Sequence, residues 1–235
     1  MFQFKQFAVK QELAAMKVGT DGVLLGAWAP VTHDPYAILD IGAGTGLIAL
    51  MLAQRTVAPH IDALEIDAQA HEQAVENFEA SPWNDRLFCF HASLDDFMDD
   101  LEDEEYDLIV SNPPFYSEQV SSGDSARDTA RQLDNLPFED LIQASEVLLS
   151  EIGVLAVIIP YKEEERFIGL AKEEKLYPFK ITRVKGTENS EIKRSLLAFS
   201  RTEQAIETDE LVLEIERNLR TPAYQALTAE FYLDK

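Results

Sequence analysis

From Tyr36 onward, short continuous apolar runs alternate with longer stretches whose apolar residues recur at helical spacing. The runs YAILDIG (36–42), HIDALEI (60–66), RLFCFHA (86–92), YDLIVSN (106–112) and IGVLAVIIP (152–160) predict strands. Between them, LIALMLAQR (47–55), AQAHEQAVENFEA (68–80), LDDFMDDLEDE (94–104) and FEDLIQASEVLL (138–149) predict helices. Strands that are apolar on both sides need cover on both faces, which a parallel sheet between helix layers supplies. A further helix, EEERFIGLAKEEK (163–175), precedes PFKITRVKG (178–186) and EIKRSLLAFSR (191–201). The polar link GTENS between these two stretches reads as a hairpin. The expected fold is α/β: a mostly parallel, seven-stranded sheet ending in an antiparallel hairpin, with helices on both faces. Near the start, Asp21 stands as a candidate N-cap for the helical run GVLLGAWA. No repeat or low-complexity tract breaks the pattern. One domain over 1–235 is expected, with extensions at 1–30 and 202–235.

The first chemical signal lies between the first strand and its helix, at Asp40-Ile41-Gly42-Ala43-Gly44-Thr45-Gly46. Glycines there let backbone approach a ligand without a Cβ in the way. A dinucleotide fingerprint would place its last glycine one position later, where this chain has Leu47. The loop therefore suits a pyrophosphate poorly. It suits the amino-acid end of S-adenosylmethionine, whose ammonium carbonyls and Asp40 can meet. Glu65 ends the next strand, roughly 20 residues on, where ribose hydroxyls arrive in such folds. Asp67 reads as the cap of the helix that follows.

The strongest signal is Asn112-Pro113-Pro114-Phe115, directly after YDLIVS. Two prolines end the strand and fix the backbone. The Asn112 side-chain oxygen and the Pro113 carbonyl can then accept from an –NH₂ group whose lone pair is delocalised into a planar system. Two acceptors orient that nitrogen and return density to the lone pair, which is positioning plus electrostatic preorganisation. Phe115 can stack on the planar substrate.

These motifs resemble the Rossmann-like class I methyltransferases that act on exocyclic amines and amides. A narrower resemblance covers nearly the whole chain. FxFKQF near the start, MKVGTDGVLLGAW (Met16 to Trp28), NPPFY and the closing LTAEFYLDK are similar to the bacterial tRNA(Val) adenine-N6 methyltransferases. That resemblance implies S-adenosyl-L-methionine as donor, S-adenosyl-L-homocysteine as product, no metal, and the N6 of the adenine immediately 3′ of the anticodon (position 37) as acceptor. It also implies that Thr20 and Asp21 lie beside the cofactor, against which the extension 1–30 packs. After the third strand the wider family often carries an acid for the cofactor adenine; here Ser93 and Asp95 are both candidates.

Charge complicates this picture. The chain carries a net −23, whereas proteins that rely on phosphate contacts usually present a basic face. The basic residues available for RNA are Lys5, Lys10 and Lys17, then Arg127 and Arg131 in the long polar stretch after NPPF, then Lys180, Arg183, Lys185, Lys193 and Arg194 on the hairpin. A target adenine would have to leave its stack to reach the Asn112 pocket. The four histidines are scattered without ligand spacing, and the single cysteine, Cys89, excludes an intramolecular disulfide framework. The acidic run 95–105 reads as a solvated helix. With no membrane-length apolar run and no apolar leader in MFQFKQFAVKQE, the cytoplasm is the expected compartment, and a monomer is favoured. Two alternatives remain: methylation of a protein glutamine amide, as in related Asn-Pro-Pro-Tyr enzymes acting on release factors, and cofactor binding without catalysis.

Overall fold

The computed structural model of the chain describes residues 1–14, 16–100, 104–114 and 136–233. Its centre is a run of apolar strands: β3 (Ala37–Ile41), β4 (His60–Glu65), β5 (Leu87–His91), β6 (Tyr106–Ser111) and β7 (Leu149–Pro160). All pair in parallel, in the order β7-β6-β3-β4-β5. Side chains alternate between the two faces with the pleat. Ile38, Leu108, Val154 and Ala156 join one core. Leu39, Ile109, Leu155 and Val157 join the other.

Each core is closed by its own helices. On the first face lie α1 (Thr20–Trp28), α2 (Leu47–Arg55) and α3 (Ala68–Glu79). On the second lie α4 (Leu94–Asp100), α5 (Phe138–Leu148) and α6 (Glu164–Glu173). Helix α2 is apolar on nearly every side because it is sandwiched between the sheet and α1. Burying each such Leu or Ile side chain contributes about 1.5–3 kcal/mol, so both faces must be covered for the sheet to persist.

Beyond β7 the direction changes. The expected hairpin forms from β8 (Tyr177–Thr187) and β9 (Ile192–Ser200), with β9 inserted antiparallel between β7 and β8. These seven strands are the sheet read from the sequence. The segment after residue 201 widens it: β10 (Glu207–Glu216) lies parallel to β8, and β11 (Leu219–Arg220) pairs with β10, giving nine strands among the described residues. Helix α7 (Pro222–Thr228) then packs against α1 and β10.

At the other end of the chain, β1 (Phe2–Gln3) and β2 (Ala8–Val9) form a small hairpin that the pattern alone did not show. It docks on the C-terminal segment: Lys5 N–H donates to Phe231 O at 2.8 Å, and Phe2 and Phe4 pack on Tyr232. The capping role read for Asp21 is corrected here. Gly19 occupies the cap position of α1 and Asp21 lies inside the first turn, where its carboxylate pairs with Arg194 on β9 at 2.8 Å. No described helix is long and apolar enough to cross a membrane.

The chain leaves β3 for β4 on one side and returns as β6 on the other. Such a reversal opens a crevice at the carboxyl ends of the strands, where ligands bind in α/β sheets.

Candidate active site

A cavity of about 340 Å³ occupies that crevice. Its floor comes from the ends of β3, β4 and β6: Gly42 and Gly44, Glu65, and Asn112 with Pro114. Ser93 and Asp95, after β5, complete one side. The structure thus brings together the glycine loop, the strand-end acid and the Asn-Pro-Pro turn. It also places both candidates for the cofactor adenine on the same wall.

The glycine loop has a backbone that glycine makes possible. Gly42, Gly44 and Gly46 have φ of +76°, +57° and +77°, a region costly for residues with a Cβ. A Cβ on Gly42 or Gly44 would meet nothing within 4 Å, so both face open space. Gly46 differs. It caps α2, lies outside the cavity wall, and a Cβ there would come within 2.4 Å of the Phe78 ring. Its role is close packing.

Glu65 braces the loop. Its carboxylate accepts from Gly44 N–H at 2.6 Å and from Asp67 N–H at 2.9 Å. Burial raises its pKa, and backbone donors at Asp67, Gly44 and Ile66 oppose that rise. Both carboxylate oxygens have further accepting capacity for a ligand in the cavity. Asp67 caps α3 as read, accepting from Ala70 N–H at 2.8 Å.

Asp40 is fully buried behind the loop and is not part of the cavity wall. One carboxylate oxygen accepts from Ala49 N–H at 3.1 Å, and Oδ1 has no partner. Burial pushes its pKa up to about 7, with the charge of Glu65 adding to the rise. Thr20 and Asp21 also stand outside the wall: Thr20 is exposed at the start of α1, and Asp21 is engaged with Arg194. Ser93 donates to Asp96 and accepts from its N–H at 3.1 Å, capping α4 as well as facing the cavity.

Several wall residues escaped sequence reasoning. Ala14 and Met16 come from the N-terminal segment, Ile66 from the turn after β4, and Pro137 and Asp140 from the start of α5. The N-terminal segment is fastened by two buried polar residues of α3. Asn77 exchanges hydrogen bonds with the Lys10 backbone and donates to Thr45 O in the glycine loop at 2.9 Å. Gln73 accepts from both Glu12 and Leu13 N–H. A sequence cue existed: Gln73 and Asn77, four apart, interrupt the apolar stripe of Ala70, Ala74 and Phe78.

Apart from the exposed Lys17, the described basic candidates are engaged within the chain. Lys5 reaches Ala229 O, Lys10 pairs with Glu76, Lys185 with Glu210 and Lys193 with Glu191. Arg183 is held by Glu164, Arg194 by Asp21, and Lys180 lies over the Trp28 ring. Strand register places the turn between β8 and β9 at the same end of the sheet as Asn112, since Pro160 pairs with Arg194 and Ser111 with Val157. Phe115, Arg127 and Arg131 lie outside the described residues.

Residues 29–168 match the model of the methyltransferase small domain. A tRNA1(Val) (adenine(37)-N6)-methyltransferase from Flavobacterium johnsoniae is 70% identical over 99% of both chains. The chain belongs to that family. More distant members agree: proteins of the same name from Bacteroides fragilis and Pectobacterium carotovorum are 44% and 42% identical over 99% of this chain, and 97% and 93% of theirs. Solved structures share the fold. A predicted O-methyltransferase from Agrobacterium tumefaciens superposes with a TM-score of 0.70 at 19% identity, covering 90% of this chain and 96% of its own. A ribosomal-protein methylase from Lactobacillus delbrueckii gives 0.55 at 20% identity over 77% of each chain.

Proposed function

We propose that this chain transfers a methyl group from S-adenosyl-L-methionine to the exocyclic N6 of adenine 37 in the anticodon loop of tRNA(Val). The observation that carries the reading is that Asn112 and the glycine loop line one cavity. A shared wall supports a pocket for the acceptor nitrogen directly beside the cofactor cradle.

The wall fits the cofactor. Gly42 and Gly44 leave room for close backbone approach. Among the described wall residues Glu65, Asp67, Asp95 and Asp140 are acidic and none is Lys or Arg, which suits a ligand bearing a sulfonium and an ammonium. In its ionised form Asp40, with Oδ1 unpartnered behind the loop, opposes that ammonium. Glu65 takes the ribose hydroxyls, and Ser93 or Asp95 the adenine edge. When bound, the cofactor supplies the methyl group and leaves as S-adenosyl-L-homocysteine.

The chain's own contribution is positioning. Asn112 Oδ1 and the Pro113 carbonyl accept from the N6 amino group and turn its lone pair toward the donor. Phe115 stacks on the base. The proton that N6 loses on methylation passes to solvent. No nucleophile of the protein is needed. Residues 1–30 and 202–235 serve as extensions of a single methyltransferase domain in the cytoplasm, with tRNA as partner and the basic residues of the hairpin and of 116–135 toward its phosphates.

Parallel incubation with unmodified tRNA and with a glutamine-bearing release factor tests the substrate class. Label from methyl-labelled cofactor is expected in the RNA. Label in the protein alone would replace the RNA reading with amide methylation.

A further inference from the structure

Tyr161 follows β7 directly, on the strand beside the one that delivers Asn112. Ser111 pairs with Val157, so Tyr161 lies on the same rim about 10 Å further along the strand direction and about 5 Å across. The residue is 39% exposed. One exposed ring means little, because scattered surface apolar groups are normal. The backing of this one is what sets it apart. The Arg183 guanidinium lies 5.6 Å from the ring centroid. Arg183 in turn is fixed by Glu164, whose carboxylate accepts from Nε at 3.1 and 3.2 Å and from Nη2 at 2.6 Å. Glu164 is buried and also accepts from Ser195. The guanidinium is therefore held in orientation and neutralised, which suits it to stacking more than to gripping phosphate.

The charge of the chain points the same way. Arg194 and Lys185, on the same rim, already face Asp21 and Glu210. A net −23 also gives the chain no overall attraction for a polyanion. Stacking on an aromatic ring needs no charge and accepts any base, since every base offers a π-face. An adenine drawn into the cavity leaves its neighbours unstacked, and their exposed faces need a new surface.

We infer that Tyr161, backed by Arg183, is a stacking platform for an unstacked nucleobase flanking the target adenine. This rests on the RNA reading above and adds to it a second contact point, one strand away from the cofactor cavity.

The test uses the full chain with Tyr161→Ala and Tyr161→Phe. Binding of a fluorescein-labelled, unmodified anticodon stem-loop is followed by anisotropy across a salt series. Cofactor affinity is measured beside it by calorimetry. Tyr161→Phe keeps the ring and should bind as wild type does. Tyr161→Ala should bind the stem-loop roughly tenfold more weakly, with cofactor affinity and salt slope unchanged, because no phosphate contact is lost. Undiminished RNA binding by Tyr161→Ala would overturn the platform alone. So would a reduced salt slope, or a parallel loss of cofactor affinity. Failure of the wild-type protein to bind the stem-loop would overturn the RNA reading together with it.

Discussion

The side chain of Asn77 and the backbone of Lys10 exchange a reciprocal pair of hydrogen bonds: Lys10 N–H donates to Oδ1 at 2.8 Å, and Nδ2 donates to Lys10 O at 2.9 Å. The same Nδ2 reaches Thr45 O in the glycine loop. One buried amide thus ties the N-terminal segment to the cofactor cradle, four residues before Ala14 enters the cavity wall. Replacing it leaves three backbone groups without partners, and each unsatisfied group costs about 1–3 kcal/mol. Asn77→Ala is expected to lose about 3 kcal/mol of stability by urea unfolding and to expose residues 10–17 to protease. Unchanged proteolysis at that segment would show that the tie is not what holds it.

The glycines separate by role. Gly46→Ala adds a Cβ against Phe78 at 2.4 Å and strains a φ of +77°, so its loss should appear in stability. Gly44→Ala meets no protein atom, so the folded protein should lose only about 1 kcal/mol while the cofactor loses its close approach. Thermal melts and calorimetric cofactor affinity on the two variants should give opposite rankings. Identical rankings would remove the distinction.

Asp40 makes stability depend on pH. Its pKa is about 7 in the folded chain against 3.8 unfolded, so the folded state binds the proton more tightly. Its contribution is therefore intact below about pH 4, declines as pH rises through the interval, and is flat above about 7. By linkage the loss amounts to about 4 kcal/mol in full. Asp40→Asn should flatten this dependence, making the cofactor-free protein more stable than wild type at pH 8 and weakening its cofactor binding. Urea unfolding at pH 5 and pH 8 measures it. A wild-type protein as stable at pH 8 as at pH 5, with the variant no different, would contradict the assignment.

Glu65→Gln retains the volume but replaces one backbone-accepting oxygen with a donor facing Gly44 or Asp67 N–H. Cofactor affinity is expected to fall on the order of ten- to a hundredfold, as for hydrogen bonds to a charged group. An unaltered calorimetric affinity would remove Glu65 from the site.

The parallel strands and their helices were legible because each is an uninterrupted apolar run or a helical stripe, and LIALMLAQR coincides with α2 residue for residue. The loops that carry chemistry were legible for a different reason: glycines and prolines state backbone requirements that few other residues meet. What stayed hidden depends on tertiary partners. Strand β10, ETDELVLEIE, is acidic with few apolar positions, and these are covered only once β8 has placed it in the sheet and α7 packs on it. The β1–β2 hairpin is too short to show a period and is held by Tyr232 and Phe231 from the far end of the chain. Asp21 looked like a cap because acids favour that position; its partner, Arg194, is far away in sequence and adjacent only in the fold.

The most direct measurement is nucleoside analysis of unmodified tRNA(Val) after incubation with the protein and methyl-labelled S-adenosyl-L-methionine, with Asn112→Ala alongside. Label is expected as N6-methyladenosine at position 37 with wild type, and a rate lower by about 10²–10³-fold with the variant, the scale for losing one preorganised polar contact at a reacting centre. Label on another atom or base, or a variant as fast as wild type, would contradict this assignment.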